Sequence, residues 1–160
     1  MKLSDYFPDP AVKPLAEVAN WRAAVQLAGD GLEAQGATTA EYTAEMLAAI
    51  DDLGPYIVIA PGFALAHSRP SPAVLRTGMS FVSLVPAIEF GSKANDPVSI
   101  VIGLAAPDSD SHLQAMSALA RVLSDHAVMA QLRAAQTPRE VRAILDAATE
   151  DPDTQNHQTT

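Results

Sequence analysis

Apolar residues recur at helical spacing through residues 15–35, at Leu15, Val18, Trp21, Ala24, Val25 and Ala28, and predict a first helix that Gly29-Asp30-Gly31 weakens or ends. Thr38 stands three residues before Glu41, the spacing of a capping box, and opens a second helix through Tyr42, Met46, Leu47 and Ile50 that stops at Gly54-Pro55. The pattern then changes. Residues 56–60, 79–85 and 98–106 are rich in Val, Ile and Phe and predict three strands; the last is apolar almost throughout, as a strand covered on both faces is. Pro107 to Ser111 is a loop in which Ser109 or Ser111 caps a helix through Leu113, Met116, Leu119, Val122 and Leu123, with His112 in its first turn and His126 late in a helix. Thr137-Pro138-Arg139-Glu140 starts a last helix through Val141, Ile144 and Leu145. Helices, then strands, then helices predict an α/β or α+β sandwich around a mixed sheet, as a single domain over residues 1–149, with the polar, Pro-containing residues 150–160 as a disordered tail.

Composition narrows what such a domain does. With 160 residues the chain buries one sizeable core, and 48% hydrophobic residues exclude global disorder. The absence of cysteine removes disulfides, zinc–thiolate sites and a cysteine nucleophile, and fits the cytoplasm. No stretch is long and apolar enough to span a bilayer, and no signal peptide is evident, so no direct membrane insertion is expected. Ten Lys and Arg against 19 Asp and Glu give a net charge of −9, which argues against nucleic acid as a partner. The same charge serves solubility, or the steering of basic protein partners.

One titratable group stands out. The run from Tyr56 begins as an apolar strand, bends at Pro61-Gly62 and stays apolar up to His67, with Arg69 two residues on and Pro70 ending the segment. An imidazole at the end of a rigid apolar element is either a phosphate-accepting nucleophile or a partly buried structural histidine. Arg69 is either a phosphate-neutralising fork or a surface ion-pair former. His112, in a helix's first turn, is either an anion-site group or a cap that bonds local backbone. Asp108, Asp110 and His112 are too loosely spaced to make a metal site, and Ser68 lacks the elbow of a serine hydrolase, so neither a metal nor any other cofactor is expected.

Two blocks of the chain resemble a known family. Gly54-Pro55-Tyr56, Ala60-Pro61-Gly62 and His67-Ser68-Arg69-Pro70 form the first; Asn95-Asp96-Pro97-Val98, Gly103-Leu104-Ala105-Ala106-Pro107-Asp108 and Ser111-His112-Leu113 form the second. Together they resemble the enzyme IIA components of the bacterial sugar phosphotransferase system (PTS), in the mannitol/fructose superfamily and closest to its ascorbate-like branch. The resemblance implies a mixed sheet flanked by helices on both sides. It also implies a phosphotransferase component whose His67 takes a phosphoryl group from HPr and passes it to a cysteine of enzyme IIB, which feeds a membrane enzyme IIC. His112 would stabilise the phosphoryl group and Arg69 would neutralise charge. An alternative use of the same fold is regulation through phosphorylation state, or non-catalytic binding. The chain departs from the pattern at Ala66, where the family usually has proline, and at Asp51-Asp52, where the mannitol-like branch carries an Arg-Glu pair. The surface around His67 is expected to be an apolar patch of Phe63 and Leu65 rimmed by acidic groups.

Overall fold

In the computed structural model, residues 2–149 are described. Five strands, β1 (Val12–Ala16), β2 (Val58–Ala60), β3 (Phe63–Ala66), β4 (Gly78–Ile88) and β5 (Val98–Ala105), form one sheet in the order β1-β4-β5-β3-β2. β1 runs parallel to β4, β4 antiparallel to β5, β5 parallel to β3, and β3 antiparallel to β2. The expected mixed sheet with helices on both faces is observed. Helices α1 (Trp21–Ala34) and α2 (Ala40–Leu53) cover one face; α3 (Ser109–Leu123), α4 (His126–Ala134) and α5 (Pro138–Thr149) cover the other.

Strand alternation divides the interior into two cores, one on each face of the sheet. Phe63, Leu65, Phe81, Ile100, Ile102 and Leu104 point toward α3–α5, where Leu119, Val122, Leu132, Val141 and Leu145 meet them, all fully buried. Each such side chain contributes about 1.5–3 kcal/mol by leaving water. Ala64, Ala66, Ser80, Gly103 and Ala105 lie on the alternate face, and this lets α1 approach closely: Ser80 donates its hydroxyl to Ala28 O at 2.7 Å. A Cβ on Gly103 would strike the Ser80 hydroxyl.

Several elements differ from the sequence expectation, each for a local reason. Residues 15–20 are not helical: Val12–Ala16 is an edge strand, where Pro14 is tolerated because no neighbour needs its missing N–H. Leu15 has φ 57°, outside helical space, and donates its N–H to Ser83 Oγ at 2.6 Å. The first helix starts after Asn20, whose side chain accepts from Ala23 N at 2.9 Å. It runs through Gly29 and Gly31 because both are packing glycines; a Cβ at Gly29 would overlap Thr43 of α2. The Thr38 capping box does not form. Thr39 takes the N-cap position without a side-chain bond, and Thr38 is buried in a bridge to Val74. Asp108, not Ser109 or Ser111, caps α3, accepting from Ser111 N at 2.7 Å. His126 opens α4 after the Asp125 cap rather than ending a helix. The cap at Thr137 does form, its hydroxyl accepting from Glu140 N at 3.1 Å. The tail expected over residues 150–160 lies outside the described residues.

Candidate functional site

The site is assembled at one end of the sheet by two parallel neighbours. α2 stops at Gly54, whose φ of 84° is the left-handed conformation that glycine adopts without strain. Gly62, at φ 74°, turns the chain from β2 into β3. The last rung of β3 with β5 is Ala66 opposite Gly103, so His67 is the first residue beyond the ladder. β5 emerges at the same end, and Pro107-Asp108 starts α3 with His112 in its first turn. Two histidines 45 positions apart in sequence are thereby brought to 5.7 Å between ring centroids, at 49°.

His67 Nδ1 lies 2.7 Å from Leu65 O. A carbonyl oxygen only accepts, so Nδ1 carries the hydrogen and Nε2 holds the lone pair. The Tyr56 hydroxyl donates to His67 O at 2.5 Å, and its ring meets the imidazole edge-on at 5.4 Å. Tyr42, buried in α2, accepts from Ser68 N at 2.9 Å and donates to Leu104 O at 2.8 Å. Burial pushes its phenol up to about 12, opposed by the bond to the Ser68 backbone. Burial likewise raises Tyr56.

A hollow of about 810 Å³ opens over these groups, lined among others by Asp52, Leu53, His67, Arg69, His112 and Leu113. Burial first, and the neighbouring His67 second, hold His112 below the ordinary imidazole range, so its neutral form is favoured. Hydrogen bonds from Ser111 hold the Asp108 carboxyl below the usual carboxylate range. Arg69 is exposed, and among the described residues it has no carboxylate partner, so its guanidinium remains available to an incoming anion.

The three candidates therefore share one hollow. The expected apolar patch is different: Phe63 and Leu65 are 1% and 0% exposed, because both point into the core under α3–α5. The apolar surface at the rim comes instead from Leu53, 69% exposed at the end of α2, and Leu113, 66% exposed in α3. The tyrosines were not singled out from the sequence. Tyr56 stood within the Gly-Pro-Tyr motif, whereas Tyr42 sits four residues before Met46 and reads simply as helix core.

The family model described as "Phosphoenolpyruvate-dependent sugar phosphotransferase system, EIIA 2" matches residues 6–148. An ascorbate-specific PTS system EIIA component of Salmonella choleraesuis (strain SC-B67) is 36% identical over 148 residues, covering 91% of this chain and 96% of its own length. The solution structure of the mannitol-specific cryptic phosphotransferase enzyme IIA of Escherichia coli superposes with a TM-score of 0.82 at 31% identity, over 92% of this chain and 99% of that one. Mannitol enzyme IIA of Escherichia coli, solved in complex with phosphorylated mannitol enzyme IIB, superposes with a TM-score of 0.77 at 26% identity, over 88% of this chain and 99% of that one. With the match running through nearly the whole described sheet and its helices, the chain belongs to the EIIA 2 family of the phosphoenolpyruvate-dependent sugar phosphotransferase system.

Proposed function

We propose that this protein is a phosphoryl carrier in which His67 is the acceptor, loaded by phospho-HPr and unloaded onto a cysteine of an enzyme IIB that serves a membrane enzyme IIC. The observation that carries the reading is the bond from His67 Nδ1 to Leu65 O, which leaves the Nε2 lone pair for attack. In the loading step Nε2 forms a bond to phosphorus while the N–P bond of the donor phosphohistidine breaks, and the donor imidazole leaves with that electron pair. In the second step the IIB thiolate forms the S–P bond and His67 leaves as a neutral imidazole. The protein's contribution is positioning and charge stabilisation. His112 donates a hydrogen bond to the transferring group, and Arg69 offsets its charge from the open side.

Leu53 and Leu113 flank the hollow and are the apolar contacts that each partner covers. HPr and enzyme IIB must reach the same nitrogen, so they compete for this surface and cannot bind together. Such encounters are small and transient, and salt slows them by screening. The 36% identity to an ascorbate-specific component supports ascorbate or a related carbohydrate as the cargo of the system.

The test is incubation with phosphoenolpyruvate, enzyme I and HPr, followed by intact-mass analysis. One acid-labile, base-stable phosphoryl group is expected. It should be absent from His67→Ala, which should retain the native circular dichroism. Full phosphorylation of His67→Ala overturns the assignment.

A further inference from the structure

The parallel ladder between β3 and β5 has a regular phase. Gly62 O, just before the ladder, accepts from both Ser99 N at 2.9 Å and Ile100 N at 3.2 Å, whereas Leu65 N turns the other way and donates to Ile57 O at 2.8 Å. Even-numbered residues of β3 therefore direct their backbone groups at β5, and residues pair from Phe63 opposite Ile100 to Ala66 opposite Gly103. Counting two residues on from Ala66, the next rung would run from Ser68 N–H to Leu104 O. That rung is not direct. The Tyr42 hydroxyl, reaching up from α2, occupies its place: Ser68 N donates to it at 2.9 Å, and it donates to Leu104 O at 2.8 Å. Ser68 O lies farther from the hydroxyl, at 3.2 Å, so Leu104 O is the better acceptor for its one hydrogen.

We infer that Tyr42 is a positioning residue, its hydroxyl an inserted rung that sets how far the His67 segment stands from the strand leading to His112. The inference rests on the reading of His67 as the phosphoryl acceptor. With a tetrahedral angle at the oxygen, bonds of 2.9 and 2.8 Å place Ser68 N and Leu104 O about 4.6 Å apart, against about 2.9 Å for a direct rung. The inserted oxygen thus splays the strand ends by more than an ångström at the point where each chain departs for its histidine. His67 leaves β3 on one side of the gap; two residues beyond Leu104, Ala106 leads into the Asp108 cap of α3 on the other. The support is firm: Tyr42 is 1% exposed within the buried core under α1 and α2, and Leu104 is fully buried. Tyr56 holds His67 O from the opposite edge, so the two residues beyond the ladder are gripped by side chains where strand pairing stops.

Tyr42→Phe removes the oxygen and keeps the ring. Ser68 N–H and Leu104 O must then close onto each other or remain apart and unpaired, and either outcome changes the seat of His67. Displacement of a reacting group by about an ångström lowers rate by up to roughly 10²-fold. Phosphoryl transfer from phospho-HPr to Tyr42→Phe is therefore expected to fall by roughly ten- to a hundredfold in kcat with KM little changed. Leu145→Ala, a core truncation in α5 on the other face of the sheet, leaves the surroundings of Tyr42 intact, controls for lost stability and should transfer at the wild-type rate at temperatures where it is folded. An NMR readout is independent of catalysis: in Tyr42→Phe the Ser68 amide resonance should move, and the His67–His112 ring NOEs should change in intensity. Wild-type kcat in Tyr42→Phe, or an equal loss in Leu145→Ala, overturns the inference. If the wild-type protein itself accepts no phosphate, the function proposed above fails while the rung does not. The NMR comparison then decides it: a shifted Ser68 amide and altered NOEs support it, and spectra matching wild type at both positions refute it.

Discussion

Removal of the His112 side chain is expected to slow transfer without removing the acceptor. The ring centroids of His67 and His112 are 5.7 Å apart, so a phosphoryl group carried by His67, as proposed, is expected to come within reach of the second ring. Before transfer, burial and His67 favour a neutral His112, which loses little by waiting unpaired. An arriving phosphoryl group, carrying one to two negative charges, reverses that bias and makes the ring a strong donor. At an effective dielectric of about 20 a unit charge pair at this separation is worth about 3 kcal/mol, and about 0.7 kcal/mol at the value for water. His112 is partly exposed, so the effect lies between these limits, and His112→Ala should slow transfer by roughly ten- to a hundredfold. Rapid-quench kinetics from phospho-HPr and toward enzyme IIB would measure both directions. The phosphohistidine should still form at full stoichiometry, and thermal unfolding should show an intact fold. Rates within about twofold of wild type in both directions would refute the role and leave His112 as a local helix residue.

The same ring makes an acid-stability prediction. The pKa of His112 is lowered in the folded protein below its ordinary 6.5, so the unfolded chain binds more protons as pH falls through that value, and stability declines from there downward to the folded-state pKa. His112→Gln should flatten this part of a plot of Tm against pH; an unchanged slope would show that other groups set it. Leu53→Asp and Leu113→Asp should each weaken HPr and enzyme IIB binding by about tenfold while leaving Tm unaltered, since both side chains are exposed; calorimetric titration giving wild-type affinities would remove these leucines from the interface. Gly29→Val should destabilise by about 1–3 kcal/mol in urea unfolding through overlap with Thr43, and Thr43→Ala in the same chain should recover part of the loss. Additive losses in the double variant would place the strain elsewhere.

What was legible in the sequence follows from where each signal is written. The β5 run from Val98 is apolar on both faces because helices cover both, so its burial is visible in composition alone. His67, Arg69 and His112, which line one hollow, stood out as candidates because their motifs are local. β1 was not, because Val12 to Ala16 contains Pro14 and continues into residues at helical spacing; only pairing with β4 makes it a strand. Gly29 and Gly31 look like helix breakers, and become intelligible only when Thr43 and Ser80 are found against them. Phe63 and Leu65 precede the histidine and so suggested a docking patch, but alternation along β3 sends both inward. Tyr42 is the hardest case: a helical apolar period accounts for its ring, and nothing near it in sequence indicates that its oxygen bridges residues 26 and 62 positions away.

The unequal faces of the sheet explain why such a bridge is possible here. β3 presents Phe63 and Leu65 to α3–α5 and only Ala64 and Ala66 to α1 and α2. Large side chains on the first face fix the depth of the strand in the core, while methyl groups on the second leave room for α2 to approach until a tyrosine hydroxyl reaches the backbone at the strand end. The family usually has proline before the active histidine, and proline has no N–H to give the ladder. Ala66 has one and is the last residue in register with β5, opposite Gly103. In this chain the ladder thus extends up to the residue before His67, the tyrosine bridge takes over directly after it, and the Tyr56 hydroxyl holds the carbonyl oxygen of His67 itself.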